Sequence, residues 1–176
     1  MNKNVLVVVY SYTGTSLGVA RLMCGQQNWT LGTVVETRPR RGAWGTWRCV
    51  LDSLLHRHPP IRYEGPAPGD FGTVVLVSPI WALQLAGPMR SFVVRERARL
   101  PDVAVVSVMG SRGAANAVAE IADLLGRTPL MATAVTAREA EDGSCAARLQ
   151  AFGTAVQSSQ TSQAVVRPTT LSTEAS

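Results

Sequence analysis

Lysine is almost missing from this 176-residue chain: of 17 basic residues only Lys3 is a lysine, and the rest are arginines. Cysteine is scarce too, and the three present (Cys24, Cys49 and Cys145) are odd in number, far apart and free of any CxxC spacing. That pattern argues against a disulfide scaffold and against a zinc site, and reads as idle thiols in a reducing compartment. The two histidines, His56 and His58, sit almost side by side, which leaves no histidine for a dispersed catalytic constellation. No apolar run approaches the roughly 20 residues of a membrane span, and Met1–Asn4 leads into Val5–Val9, a run too short for a secretory leader. A cytoplasmic protein without a membrane span is the expectation. Acidic residues number 12, giving a net charge of +5. The arginines are nonetheless scattered apart from Arg38, Arg40, Arg41 and Arg90–Arg99, and no aromatics interleave with them. We therefore expect solvated helix faces, with Arg90, Arg95, Arg97 and Arg99 turned to solvent, and no nucleic-acid partner.

What is present is an ordinary globular composition, 46% hydrophobic and 16% charged, sized for one domain. Apolar runs alternate between strand and helix periods. Asn4–Tyr10, Leu31–Thr37, Thr73–Ser78, Val103–Met109 and Leu130–Thr136 read as strands, the first buried on both faces. Ser16–Gln27, Ala43–His58, Gly87–Leu100, Gly113–Gly126 and Arg138 to about Gln157 read as helices; Trp44 and Trp47 fall on the core stripe of the second. Alternation of this kind predicts an α/β domain of three αβα layers, a five-stranded parallel sheet covered by helices on both faces. The domain should span residues 1–157. Residues 158–176, rich in Ser, Thr and Gln without periodicity, should form a mobile tail.

In such sheets ligands bind beyond the carboxyl ends of the strands. The loop after the first strand is Ser11-Tyr12-Thr13-Gly14-Thr15-Ser16, hydroxyl-rich and set before a helix N-terminus, an arrangement that suits a phosphate. It lacks the Gly-Lys of a P-loop and the three glycines of a dinucleotide fingerprint. Gly14–Gly18 does match the G-x-S-x-G elbow with Ser16 as nucleophile, but no histidine follows it in the chain, so a hydrolase is not expected. A plain helix cap by Thr15 or Ser16 is the competing explanation. The loop after the third strand, Ser78-Pro79-Ile80-Trp81-Ala82 and onward, offers Trp81 to stack on a flat ring, or else to pack under the next helix. The loop after the fourth, Met109-Gly110-Ser111-Arg112-Gly113, has glycines that let backbone approach a ligand, or that simply turn the chain.

These pieces, VLVVVYSYTGTS at Val5–Ser16, SPIWALQLAGPM at Ser78–Met89 and SVMGSRG at Ser107–Gly113, resemble the flavodoxin-like family in order and spacing over residues 4–157. Gly69-Asp70-Phe71 is similar to the acidic-aromatic pair that family often carries before its third strand. The resemblance implies strand order 2-1-3-4-5 and an FMN cofactor. It places the FMN phosphate on Ser11, Tyr12, Thr13, Gly14, Thr15 and Ser16. It places the isoalloxazine between the segment Ser78, Pro79, Ile80, Trp81, Ala82 and the segment Met109, Gly110, Ser111, Arg112, Gly113. Tyr12 replaces a small residue seen in many members. The near absence of chain between the last strand and its helix matches the shorter form of the family.

Flavin would carry the redox chemistry and the protein would set potential and access. One-electron flavodoxins are typically acidic, whereas this chain is basic and expects Arg112 near the ring, where a cation favours a negatively charged reduced flavin. The expected function is an FMN-dependent oxidoreductase that passes electrons from NAD(P)H to a quinone-like or protein acceptor. Two alternatives stand beside it: an electron carrier without its own substrate, and a binding or regulatory module without flavin. No metal constellation is visible.

Overall fold

The computed structural model describes residues 4–37 and 58–166, with side chains through residue 160. The expected helix Ala43–His58 with Trp44 and Trp47, the arginines at 38, 40 and 41, and Cys49 therefore fall outside the described residues, save His58 at the end. In chain order the elements are β1 (Val5–Tyr10), α1 (Thr15–Gln27), β2 (Thr30–Glu36), β3 (Ile61–Glu64), β4 (Thr73–Trp81), β5 (Gln84–Leu85), α2 (Gly87–Glu96), β6 (Asp102–Met109), α3 (Ala114–Leu125), β7 (Met131–Thr136), α4 (Ala137–Asp142) and α5 (Ala146–Val166).

β1 is central because every one of its residues is buried and apolar, so both of its faces demand cover. It pairs in parallel with β2 on one side and β4 on the other, and β6 and β7 continue the parallel set beyond β4. The order across the sheet is β3-β2-β1-β4-β6-β7. The five parallel strands thus lie second, first, third, fourth, fifth, but the sheet is larger than expected. Among the described residues it has seven strands, because β3 joins β2 antiparallel at the edge and β5 folds back antiparallel on the end of β4.

Alternation along β1 sorts the two cores. Val5, Val7 and Val9 pack with Val19, Ala20 and Met23 of α1 and Leu149, Phe152 and Val156 of α5. Leu6, Val8 and Tyr10 pack with Met89, Phe92 and Val93 of α2 and Ala117 and Ile121 of α3. Three layers result, and each fully buried Val, Leu or Phe adds about 1.5–3 kcal/mol of transfer free energy. β3 owes its place to an aromatic ring over a glycine: a Cβ on Gly32 of β2 would come within 2.8 Å of Cε2 of Tyr63. The ring also packs on Phe92 at 5.1 Å, and its hydroxyl donates to the Pro66 carbonyl at 2.8 Å.

Two other expectations change. The helix from Gly87 ends at Glu96 rather than Leu100. The single last helix is two, split by Gly143 at φ +77, and the second half continues to Val166 rather than stopping near Gln157. Gln160 on that extension donates to the Asn4 carbonyl at 3.0 Å and to Thr73 Oγ1 at 2.7 Å. Cys24 and Cys145 are free thiols beside the α1/α5 core, and burial pushes Cys24 up to about 11, which keeps it protonated and unreactive at neutral pH.

α4 opens on a capping box, with the Thr136 hydroxyl and the Glu139 carboxylate each serving the other's backbone N–H. Thr136 N–H, the Arg148 guanidinium and the Thr136 hydroxyl together lower the Glu139 carboxyl from an ordinary 4.5 to about 2. The folded-state value lies below the unfolded one, so this stabilisation is whole above the ordinary carboxylate range and is lost as pH falls from about 4.5 toward 2. Urea melts at pH 7 and pH 3 should therefore differ less for Glu139→Gln than for the wild type, and Thr136→Ala should cost about 1 kcal/mol at pH 7.

Candidate functional site

Three loops meet above the carboxyl ends of β1, β4 and β6. The first holds an uncapped helix N-terminus. Gly14, at φ +99, is the N-cap of α1, and no side chain caps the helix. The first intrahelical bond is Gly18 N–H to Gly14 C=O at 2.9 Å. The amides of Thr15, Ser16 and Leu17 therefore point out of the helix end without an intrahelical acceptor. The turn is held by Gly14 N–H donating to Ser11 Oγ at 3.1 Å, and the hydroxyls of Thr13 and Thr15 meet at 3.3 Å. Nothing lies within 4 Å of where a Gly14 Cβ would be, so the cradle is open on that side. Thr13 and Gly14 are exposed and Ser11, Tyr12 and Thr15 half-exposed, whereas Ser16 is buried.

The second segment is not the long loop expected. Ser78, Pro79, Ile80 and Trp81 belong to β4, and Ser78 is buried in the interior. The chain then reverses in a two-residue hairpin, with Trp81 opposite Gln84 and Ile80 opposite Leu85. Its tip residues, Ala82 and Leu83, both take positive φ, +48 and +64. Such hairpin tips favour Asn-Gly; an alanine and a leucine there carry strain of order 1–3 kcal/mol each. Leu83 is also half exposed, the most exposed large apolar side chain among the described residues. Leu83→Gly should accordingly raise stability by about 1 kcal/mol, read as a melting temperature a few degrees higher.

Trp81 is neither a core residue nor free. Its ring stands edge-to-face with Tyr10 at 5.7 Å and with Tyr12 at 5.9 Å, which joins the first loop to the second. The Tyr10 hydroxyl in turn donates to the Glu36 carboxylate at the end of β2. The third loop joins the second through Gly113, the N-cap of α3 at φ +106. A Cβ there would lie 2.7 Å from Leu83 Cα and 2.7 Å from Ile80 Cγ2. Gly110, Ser111 and Arg112 are exposed and Met109 half-buried. No acidic side chain occurs in residues 11–16, 78–87 or 109–113; the Glu36 carboxylate lies against Tyr10 at the end of β1.

Residues absent from the sequence reading also shape the site. Asn116 Nδ2 donates to the Leu83 carbonyl at 3.2 Å. Arg90, expected in solvent, is only 1% exposed and pairs with Glu120 across α2 and α3. It was misread because α2 buries nearly its whole first two turns, Gly87 through Val93, so no solvated face exists there. Arg95, Arg97 and Arg99 are exposed as expected. Among the described residues, no group of three or more His, Cys, Asp or Glu could hold a metal ion, and no helix is long and apolar enough to cross a membrane.

No family model and no curated protein sequence matches the chain. Solved structures do. A flavoprotein from Lactobacillus acidophilus NCFM, crystallised in complex with FMN, superposes with a TM-score of 0.66 at 17% identity, over 80% of this chain and 97% of that one. A flavodoxin from Streptococcus pneumonia TIGR4 gives 0.52 at 13% identity, over 85% and 94%. A flavodoxin, WrbA-like protein from Agrobacterium tumefaciens gives 0.50 at 14%, over 86% and 97%. The fold of this chain is flavodoxin-like.

Proposed function

We propose that this chain binds FMN across the three loops and serves as a redox protein that passes electrons from NAD(P)H to a quinone-like or protein acceptor. The observation that carries the reading is the α1 N-terminus: orphan amides, a glycine already in the left-handed region, hydroxyls around it and no acid in the loop or the first helical turn. That donor set fits a dianionic phosphate, with the helix dipole in place of the missing lysine. In this reading Ser11, Tyr12, Thr13, Gly14, Thr15 and Ser16 surround the phosphate. Pro79, Trp81 and Ala82, backed by the buried Ser78 and Ile80, on one side and Met109, Gly110, Ser111, Arg112 and Gly113 on the other flank the ring. FMN, when bound, supplies the electron-transfer chemistry that the side chains lack. The shared fold with an FMN-bound flavoprotein supports this choice of ligand.

The chain's own residues set the conditions around the group. Trp81, braced by two tyrosine edges, offers a fixed apolar wall. Arg112, exposed at the rim, favours negative charge on its neighbour. That charge balance supports the oxidoreductase over the electron carrier.

The deciding experiment is a visible spectrum of the purified protein followed by titration with FMN. A saturable shift near 450 nm (roughly where flavins absorb) is expected; a colourless protein without FMN affinity would overturn the reading. Arg112→Ala should then lower, by tens of millivolts, the potential at which the loaded protein accepts its second electron. An unchanged potential would remove the support for the reductase over the carrier.

A further inference from the structure

We propose that the buried Arg90–Glu120 ion pair is a positioning device that holds the Trp81 hairpin in its strained shape. Both polar backbone groups of one hairpin residue end on this pair: Leu85 N–H donates to Glu120 Oε2 at 3.3 Å, and Arg90 Nη2 donates to the Leu85 carbonyl at 3.1 Å. Arg90 Nε completes the arrangement by donating to Glu120 Oε1. The side chains are 1% and 11% exposed.

A buried ion pair is a poor device for stability alone, since an apolar pair of the same size often does as well. What it has and an apolar pair lacks is direction. Here a donor and an acceptor are aimed at a strand only two residues long, whose own ladder to β4 ends at the turn. The turn it supports holds Ala82 and Leu83 at positive φ, a geometry that relaxes once unanchored. Asn116 on the Leu83 carbonyl and Gly113 against the Leu83 backbone grip the tip from the same helix. An open groove of about 560 Å³ is lined in part by Gln84 of the hairpin and by Arg90, Asn116 and Glu120. Water is therefore at hand to take over the Leu85 groups if the pair is broken, and the hairpin can loosen without unfolding the domain. Arg90 and Glu120 act on the site through Trp81. The effect on the hairpin stands on geometry alone; the effect on cofactor binding rests on the FMN reading above.

Amide hydrogen exchange by NMR on the flavin-free full chain tests the first effect and FMN titration the second. Glu120→Ala should speed exchange at Leu85 at least tenfold relative to Val105 of β6, and raise the FMN dissociation constant about tenfold. Glu120→Gln, which keeps an acceptor oxygen for Leu85 N–H, should stay within threefold of wild type in both. Asn116→Ala, at an exposed position that does not threaten folding, should move both measures in the same direction by a smaller factor. Equal acceleration at Leu85 and Val105, or none at Leu85 in either alanine variant, would overturn the proposal. So would a loosened hairpin with unchanged FMN affinity. A wild type that binds no FMN while Leu85 responds as expected would sink the functional reading and leave the positioning role standing.

Discussion

Thr15→Glu is expected to leave the fold as stable as before, or slightly more so, while weakening FMN binding at least a hundredfold. Thr15 is the first residue of α1, in a first turn that contains no acid. A carboxylate there interacts favourably with the helix dipole, by about 0.3–1 kcal/mol. The same carboxylate would face a phosphate of one to two negative charges across about 5 Å, where repulsion at an effective dielectric near 20 is about 3–7 kcal/mol. Each 1.4 kcal/mol is about a factor of ten in affinity, so a hundredfold loss is the lower bound. Thermal melts would show the first effect and flavin titration the second. Riboflavin, which lacks the phosphate, is the control: its binding should change little. Equal losses for riboflavin and FMN would mean that the charge is felt elsewhere and that the phosphate does not sit at this helix.

Gly113→Ala should be the most damaging single-methyl addition in the site. Two costs combine at one position. A left-handed backbone costs an alanine about 1–2 kcal/mol, and the added Cβ would press on the Leu83 backbone and the Ile80 side chain at 2.7 Å. Overpacking of that kind adds about 1–3 kcal/mol, for a fall in melting temperature of about 5–15 °C. Gly126→Ala separates the terms. Gly126 is also left-handed, at φ +67, but has nothing within 4 Å of its missing Cβ. Only the backbone cost applies there, so its melting temperature should fall much less. The Gly113 variant should also displace the hairpin, and with it the edge-to-face contact of Trp81 with Tyr12.

The sequence made the parallel frame readable because the relevant signals are local and strong. Val5–Tyr10 is an unbroken apolar run, and only a strand covered on both faces uses one. Gly14 and Gly126 mark helix ends through a backbone region that other residues avoid. The missing pieces lack such signals. β3 is four residues, Ile-Arg-Tyr-Glu, with alternate residues exposed, and its pairing is supported by the Tyr63 ring settling over Gly32 from another strand. β5 is two residues long, and its turn uses Ala82-Leu83 where the usual hairpin sequence would be Asn-Gly. A strained turn is by nature illegible from propensity, since what holds it is tertiary: Glu120 and Asn116 lie more than thirty residues downstream. Arg90 was misread for the same reason, since an arginine enters a core only when its partner is already there. Of the candidate site, the first loop is legible as a turn before a helix N-terminus, while most of the second segment, expected as a loop, is strand.

The bonds from Gln160 to Asn4 and Thr73 have a bearing on the order of assembly. β1 is synthesised before α5, yet the clasp at its base comes from α5, the last described element, as does much of the cover over Val5, Val7 and Val9. A nascent chain lacking that helix would present a greasy, half-roofed sheet to its surroundings. Closure thus waits on α5, and chains cut short before residue 146 should be seized by chaperones or degraded instead of accumulating as folded fragments.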